Sequence, residues 1–180
     1  MKDFLDNYEI IGYADGACRE NGSINSKGGW AFVIRFDNNS KEIHSAGYSG
    51  TTTNQRMEMT AVIKILEEIE KRWKDRKVSA IIFSDSKYVV NGSTKWMFDW
   101  EKKGWQRTAK KNCRGDLKNL DLWKIMFHLV TKIQPNICWI KGHSGQKYNE
   151  LCDDLATTAI AACSDYYKAI RTKKGDKDEK

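Results

Sequence analysis

The sequence predicts a single α/β domain built on a mixed sheet, and three observations predict it. Three β-rich runs near the N-terminus, residues 10–13, 30–36 and 41–48, are separated only by polar breaks, the pattern of an antiparallel meander. A long segment of helical periodicity then leads into a further β-rich run at 78–84, a strand–helix–strand order that adds parallel pairing. With 180 residues, 40% of them hydrophobic and seven of them tryptophan, the chain can bury one real core, is short for two domains and is not a disordered polymer.

The first strand ends in Asp15-Gly16, read here as a strand followed by a turn. A polar loop over 19–29 leads to the second strand, and Asp37-Asn-Asn-Ser40 reads as the hairpin turn into the third. Thr53 or Asn54 is the expected N-cap of a long helix in which Met57, Ala61, Ile65 and Ile69 recur every four residues. Met59, Val62, Ile63 and Leu66 widen that stripe, and the charged segment 71–77 ends it. Residues 80–86 (AIIFSDS) repeat the first arrangement, a β-rich run closing on an aspartate. Short helical pieces are expected over 86–103, then a basic irregular stretch over 107–114. Asp121 is the candidate N-cap for a helix over 122–133, which Pro135 blocks from continuing. A last strand at 136–140, a glycine-flanked loop at 142–145 and a helix from Asn149 to about Ile170 complete the domain. Domain limits of 1–170 follow, with 171–180 as a charged, disordered tail.

The formal charge of +7 favours a polyanionic partner such as nucleic acid, although charge alone reads equally as solubility. Five cysteines without C-x-x-C spacing read as free thiols in a reducing compartment rather than as disulfides or a zinc site. Asp3 and Asp6 leave no apolar N-terminal run, so no signal peptide is expected, and no segment has the ~20 apolar residues of a membrane helix. The expectation is a soluble intracellular monomer, cytoplasmic or nuclear.

If the two aspartate-terminated strands lie parallel and adjacent, Asp15 and Asp85 meet at one end of the sheet, and clustered carboxylates there suit a hard metal ion. Glu58 lies among Met57 and Met59, where a carboxylate is poorly solvated without a partner. Asp153 sits near the start of the last helix, with Asn149 one turn earlier on the same face; Asp154 points about 100° away. Each also has a plainer reading: turn former for Asp15 and Asp85, favourable helix-start charge for Glu58 and Asp153.

Eight blocks, taken in order, change that balance. They are YADGAC (13–18), GGW (28–30), TTNQRME (52–58), SDSKYV (84–89), the segment Trp96 to Trp105, NLDLW (119–123), KGHSG (141–145) and NELCDDLA (149–156). In this order the chain resembles the ribonuclease H type 1 family from Tyr8 to Ala162. The resemblance implies a five-stranded mixed sheet with the meander at one edge and helices on both faces, the ribonuclease H-like fold. It implies hydrolysis of the RNA strand of an RNA–DNA hybrid by two Mg²⁺ ions, for which Mn²⁺ can substitute, leaving 5′-phosphate and 3′-hydroxyl ends. Family catalytic positions fall on Asp15, Glu58, Asp85 and Asp153, the metal ligands, with a loop histidine at His143 as proton shuttle or aid to product release. His44 and His128 lie outside every block.

For the substrate, the resemblance puts Cys18, Asn21, Asn54 and Gln55 along the minor groove, where a 2′-hydroxyl is told from hydrogen. Thr53, with Asn21 or a neighbour, would hold a DNA phosphate, and Asn149 would line the site; Lys87, where the resemblance places a groove-facing amide, is expected to swing to a phosphate and add affinity rather than read the groove. Trp96, Trp100, Trp105 and the pair Lys102 and Lys103 correspond to the DNA-side helix and basic protrusion, Trp105 being the better surface candidate. Three departures stand out: the loop 19–27 replaces a proline-containing glycine loop, Gln55 and Lys87 replace an Asn and a Gln, and Asp99 replaces a neutral amide. The residues ahead of the first strand are too few for a separate hybrid-binding domain, so none is expected. The rival reading is a protein of the same fold that binds hybrid or double-stranded RNA without cutting; the intact acidic quartet argues against it.

Overall fold

In the computed structural model the described residues are 2–36, 41–74, 76–106 and 116–175, with side chains described within 4–163. The expected turn at 37–40, the basic stretch at 107–114 with Cys113, and residues 176–180 of the tail lie outside them.

Five strands form one sheet: β1 (Ile10–Arg19), β2 (Lys27–Phe36), β3 (Glu42–Gly50), β4 (Ala80–Ser84) and β5 (Asn136–Trp139), in spatial order β3-β2-β1-β4-β5. The first three pair antiparallel, and β4 and β5 run parallel to β1. This is the mixed sheet expected. The strand–turn reading at Asp15-Gly16 is corrected, because β1 stays paired with β2 through Asp15↔Ala31 to Arg19↔Lys27. What stops near Asp15 is the parallel ladder, whose last pair is Ala14↔Ser84. Asp15 on β1 and Asp85, just past the end of β4, are therefore the residues that follow the last parallel pair.

Among the described residues six helices flank the sheet: α1 (Lys2–Leu5), α2 (Asn54–Arg72), α3 (Lys87–Asn91), α4 (Met97–Lys102), α5 (Leu120–Ile133) and α6 (Lys147–Gly175), with a π-helical turn over Gly92–Trp96 joining α3 to α4. Alternation along β1 divides the core. Ile10 and Ala14 pack with Met59, Ile65, Leu66, Trp123 and Met126 of α2 and α5, whereas Ile11 and Tyr13 pack with Cys152 and Ala156 of α6. Burial of each such large side chain stabilises by roughly 1.5–3 kcal/mol. Two glycines bring the helices close: a Cβ on Gly16 would meet Glu58 N at 2.2 Å, and one on Gly29 would meet Ala156 O at 2.0 Å.

Thr53 caps α2 as expected, its hydroxyl accepting from Arg56 N at 3.3 Å, and the periodic stripe is the buried face. At α5 the N-cap position is Asn119, left-handed at φ 59° and without a side-chain cap bond. Asp121 lies inside the first turn instead, because its carboxylate is taken by Arg56 in a two-pronged contact of 2.9 and 2.6 Å. Gln134, also left-handed, ends α5 one residue before Pro135. The last helix starts two residues earlier than Asn149 and runs past Ile170 to Gly175. Cys18, Cys138, Cys152 and Cys163 are free thiols. Among the described residues no helix is long and apolar enough to cross a membrane.

Candidate active site

The end of the parallel ladder brings Asp15 (β1) and Asp85 (just past β4) together, and α2 crossing Gly16 delivers Glu58 to the same spot. One carboxylate oxygen of each lies within 4.8 Å of the others. Asp15 and Glu58 are buried, at 6% and 7% exposure. Burial, then the Asp85 charge, raises the Asp15 carboxyl to about 7. Burial, then the charges of Asp15 and Asp85, raises Glu58 well above the usual carboxylate range.

Each member is held by the chain around it. Asp15 Oδ1 accepts from Gly16 N at 2.7 Å. Glu58 Oε1 accepts from the Asn54 amide at 3.3 Å, whereas Oε2 is buried without a partner. Asp85 Oδ2 accepts from the Asn149 amide at 3.2 Å and faces Gly142, where a Cβ would come within 2.4 Å of it. Asp153 stands outside the tight trio, more exposed, yet its charge also pushes the Asp15 carboxyl upward. Asp154 is exposed, turned away as the helix geometry required.

His143 sits in a left-handed backbone conformation at φ 47°, with its side chain 81% exposed and Nδ1 3.8 Å from Asp153 Oδ2. Glu150 secures that loop by accepting from Gly145 N at 2.8 Å, and Gln146 caps α6 by accepting from Asn149 N at 2.7 Å. Neither contact follows from a motif; a carboxylate in the first turn after a glycine loop is the signal the sequence carries for Glu150. Trp139, at the end of β5, joins the group without any motif to mark it: its indole N–H donates to the Asp85 backbone carbonyl at 2.9 Å. His44 pairs with Glu42 on β3 and His128 is exposed on α5, away from this group.

Among the expected substrate contacts, Asn21 Oδ1 accepts from Asn54 N at 3.1 Å, so the departing loop docks on the start of α2. Cys18 lies beside Thr52 O, and Gln55 is exposed one residue beyond Asn54. Farther along the same side, Tyr88, Trp96, Trp100 and Trp123 form a chain of ring contacts with centroids 6.1, 6.0 and 5.5 Å apart. The surface preference given to Trp105 is corrected: Trp96 is 38% exposed, whereas Trp105 is partly buried with its ring edge-on to Phe127 at 5.6 Å. The turn after α4 through Gly104 folds Trp105 back onto the core. Lys102 and Lys103 are exposed at the end of α4.

Three carboxylates this close, with one buried oxygen lacking a partner, fit a hard divalent cation, which prefers oxygen ligands. Comparison with known proteins agrees with the geometry. Residues 7–161 match the model of the RNase H family. Ribonuclease H of Francisella philomiragia subsp. philomiragia is 40% identical over 158 residues, 88% of this chain and 95% of that protein. Ribonuclease H of Francisella tularensis subsp. novicida is 40% identical over 161 residues, 89% of this chain and 97% of that protein. The solved structure of LC9-RNase H1, a type 1 RNase H with the type 2 active-site motif, is similar with a TM-score of 0.74 at 28% identity, covering 87% of this chain and 74% of that one. LC11-RNase H1, solved in complex with RNA/DNA hybrid, shares the fold with a TM-score of 0.62 at 20% identity, covering 86% and 98%. A family match over nearly the whole domain, relatives of matching length and the observed sheet order converge: the chain belongs to the ribonuclease H family of enzymes.

Proposed function

We propose that the chain is a metal-dependent endonuclease that hydrolyses the RNA strand of RNA–DNA hybrids and leaves 5′-phosphate and 3′-hydroxyl ends. The observation that carries this reading is the buried trio of Asp15, Glu58 and Asp85 with the unpartnered Glu58 Oε2. A protein that only bound hybrid would bear the cost of that mutual repulsion with no return. Asp15, Glu58, Asp85 and Asp153 would hold two Mg²⁺ or Mn²⁺ ions, which supply the Lewis acidity that activates a water and steadies the leaving oxygen of an in-line displacement.

The remaining work falls to the chain's own groups. Asn149 orients the Asp85 carboxylate, and Asn54 orients that of Glu58. His143, on an exposed loop beside Asp153, is placed to carry a proton to or from the site. Asn21, Asn54, Gln55 and Cys18 form a polar ridge suited to a minor groove, and the Thr53 hydroxyl can donate to a phosphate while it accepts from Arg56 N. Trp96 and Trp100, two indoles tilted 48° to one another, with Lys102 and Lys103, offer the DNA strand an aromatic wall and positive charge. A monomeric, intracellular enzyme is the matching state, checked by sedimentation and by fractionating cells.

A gel assay with end-labelled hybrid, duplex RNA and duplex DNA, with Mg²⁺ and with EDTA, tests the proposal. The expected result is cleavage of RNA in the hybrid alone, only with metal. Full activity in EDTA, or 2′,3′-cyclic phosphate ends, overturns it.

A further inference from the structure

Trp139, at the end of the edge strand β5, is 44% exposed, and two contacts account for its place. Its Nε1–H donates to the Asp85 backbone carbonyl at 2.9 Å, and the Lys87 ammonium lies 4.9 Å from its ring centroid. The register explains both. Trp139 pairs with Ser84 at the end of β4, so its side chain reaches the chain as it leaves the strand toward Asp85 and the first residue of α3. The neighbouring Ser84 carbonyl is taken by Ile140 N at 3.1 Å, leaving the Asp85 carbonyl for the indole.

Lys87 is exposed, and among the described residues its ammonium makes no hydrogen bond or ion pair. A cation over a ring is attracted to the face while its N–H donors remain available. A lysine free in solution samples many rotamers along its flexible stem; the indole face 4.9 Å away favours those that lie over it.

We propose that Trp139 is a positioning residue that presents the Lys87 ammonium to a phosphate of the bound hybrid while its indole N–H fixes the main chain of Asp85. Lys87 then supplies sequence-independent affinity rather than groove reading, as phosphate contacts do. This inference rests on the hybrid-cleaving function proposed above, and the experiment separates the two.

Binding of a fluorescein-labelled RNA–DNA hybrid is measured in EDTA across a salt series, and kcat and KM are measured with Mg²⁺, for the parent, Lys87→Met, Trp139→Leu, Trp139→Phe and the Lys87→Met/Trp139→Leu pair. Thermal melts accompany each. Lys87→Met should flatten the plot of log affinity against log salt by somewhat under about one unit. Trp139→Leu should weaken binding about two- to fivefold, the size of an exposed cation–π contact. It should add nothing once Lys87 is already methionine. Trp139→Phe keeps a ring face and lacks the N–H, so it should retain the parent's affinity while lowering kcat.

Equal weakening by Trp139→Leu in both backgrounds overturns the proposal, as does a Trp139→Phe variant that binds like Trp139→Leu. A parent that neither binds nor cuts hybrid defeats the function instead. A lowered melting temperature with binding and kcat unchanged reduces Trp139 to packing, and so also overturns the proposal.

Discussion

The carboxylate of Glu58 sits on a helix face otherwise made of Met57, Met59, Ala61 and Val62, with Asn54 on one oxygen and nothing on the other. Packing alone would place an apolar side chain there, so the group is kept for its charge. Asp15→Asn or Asp85→Asn should each abolish turnover, because each removes a ligand oxygen from the trio and no core packing. Retained wild-type turnover in either variant, measured on hybrid with Mg²⁺, removes that residue from the site. His143→Ala should be milder, lowering kcat within the ~10²–10⁴-fold range of a lost proton-transfer group. An unchanged rate across pH would make His143 an ordinary loop histidine. The acidic positions were legible in the sequence through the ordered blocks that resemble the ribonuclease H type 1 family, since each carboxylate taken singly reads as readily as a turn former or a helix-start charge. The tight trio without Asp153 was not legible, since it depends on how far α6 stands from the sheet. Nor were the contacts of Trp139 and Glu150, which join residues by side-chain reach rather than by spacing.

At the scale of elements, β1 and α2 determine the site together. Gly16 is the point of contact, since the space its missing Cβ leaves is filled by the α2 backbone at Met57 and Glu58. A backbone cannot rotate aside as a side chain does. Gly16→Ala should therefore push the start of α2 off the sheet, costing at least the ~1–3 kcal/mol of an overpacked core and most of the activity. Urea unfolding paired with a hybrid assay checks this, and a fully stable, fully active Gly16→Ala protein refutes it. The periodicity of α2, the meander and the strand–helix–strand order were readable because they rest on local pattern. The extent of β1 was not, because Asp15-Gly16 is turn chemistry that pairing with β2 overrides. Asp121 likewise carried a correct capping propensity that Arg56, sixty-five residues earlier, diverted into an ion pair. With both partners substantially exposed, that pair is worth no more than about 1 kcal/mol and serves chiefly to orient α5 against α2.

Across the whole molecule, the trio couples folding to protons and to metal. Asp15 is raised from 3.8 to about 7 in the folded, metal-free protein, first by burial and then by Asp85, and Glu58 is raised for similar reasons. Between the unfolded and folded values the native state holds a proton that the unfolded chain has lost. Stability from Asp15 is therefore fully present below about pH 4 and is lost as pH rises through about 7, by on the order of a few kcal/mol, and Glu58 acts in the same direction. In EDTA the melting temperature should accordingly drop between pH 5 and pH 8, relative to an Asp15→Asn variant that carries no proton at that position. A divalent cation that binds only the folded trio acts in the opposite sense, because it favours the ionised carboxylates and stabilises the native state by mass action. Added Mg²⁺ should raise the wild-type melting temperature more at pH 8 than at pH 5, and should raise that of Asp15→Asn less than that of the wild type at pH 8. Calorimetric scans of both proteins at the two pH values, with EDTA and with Mg²⁺, decide the matter. A Mg²⁺ shift that is the same at both pH values, or the same in both proteins, means that the metal does not bind at this cluster.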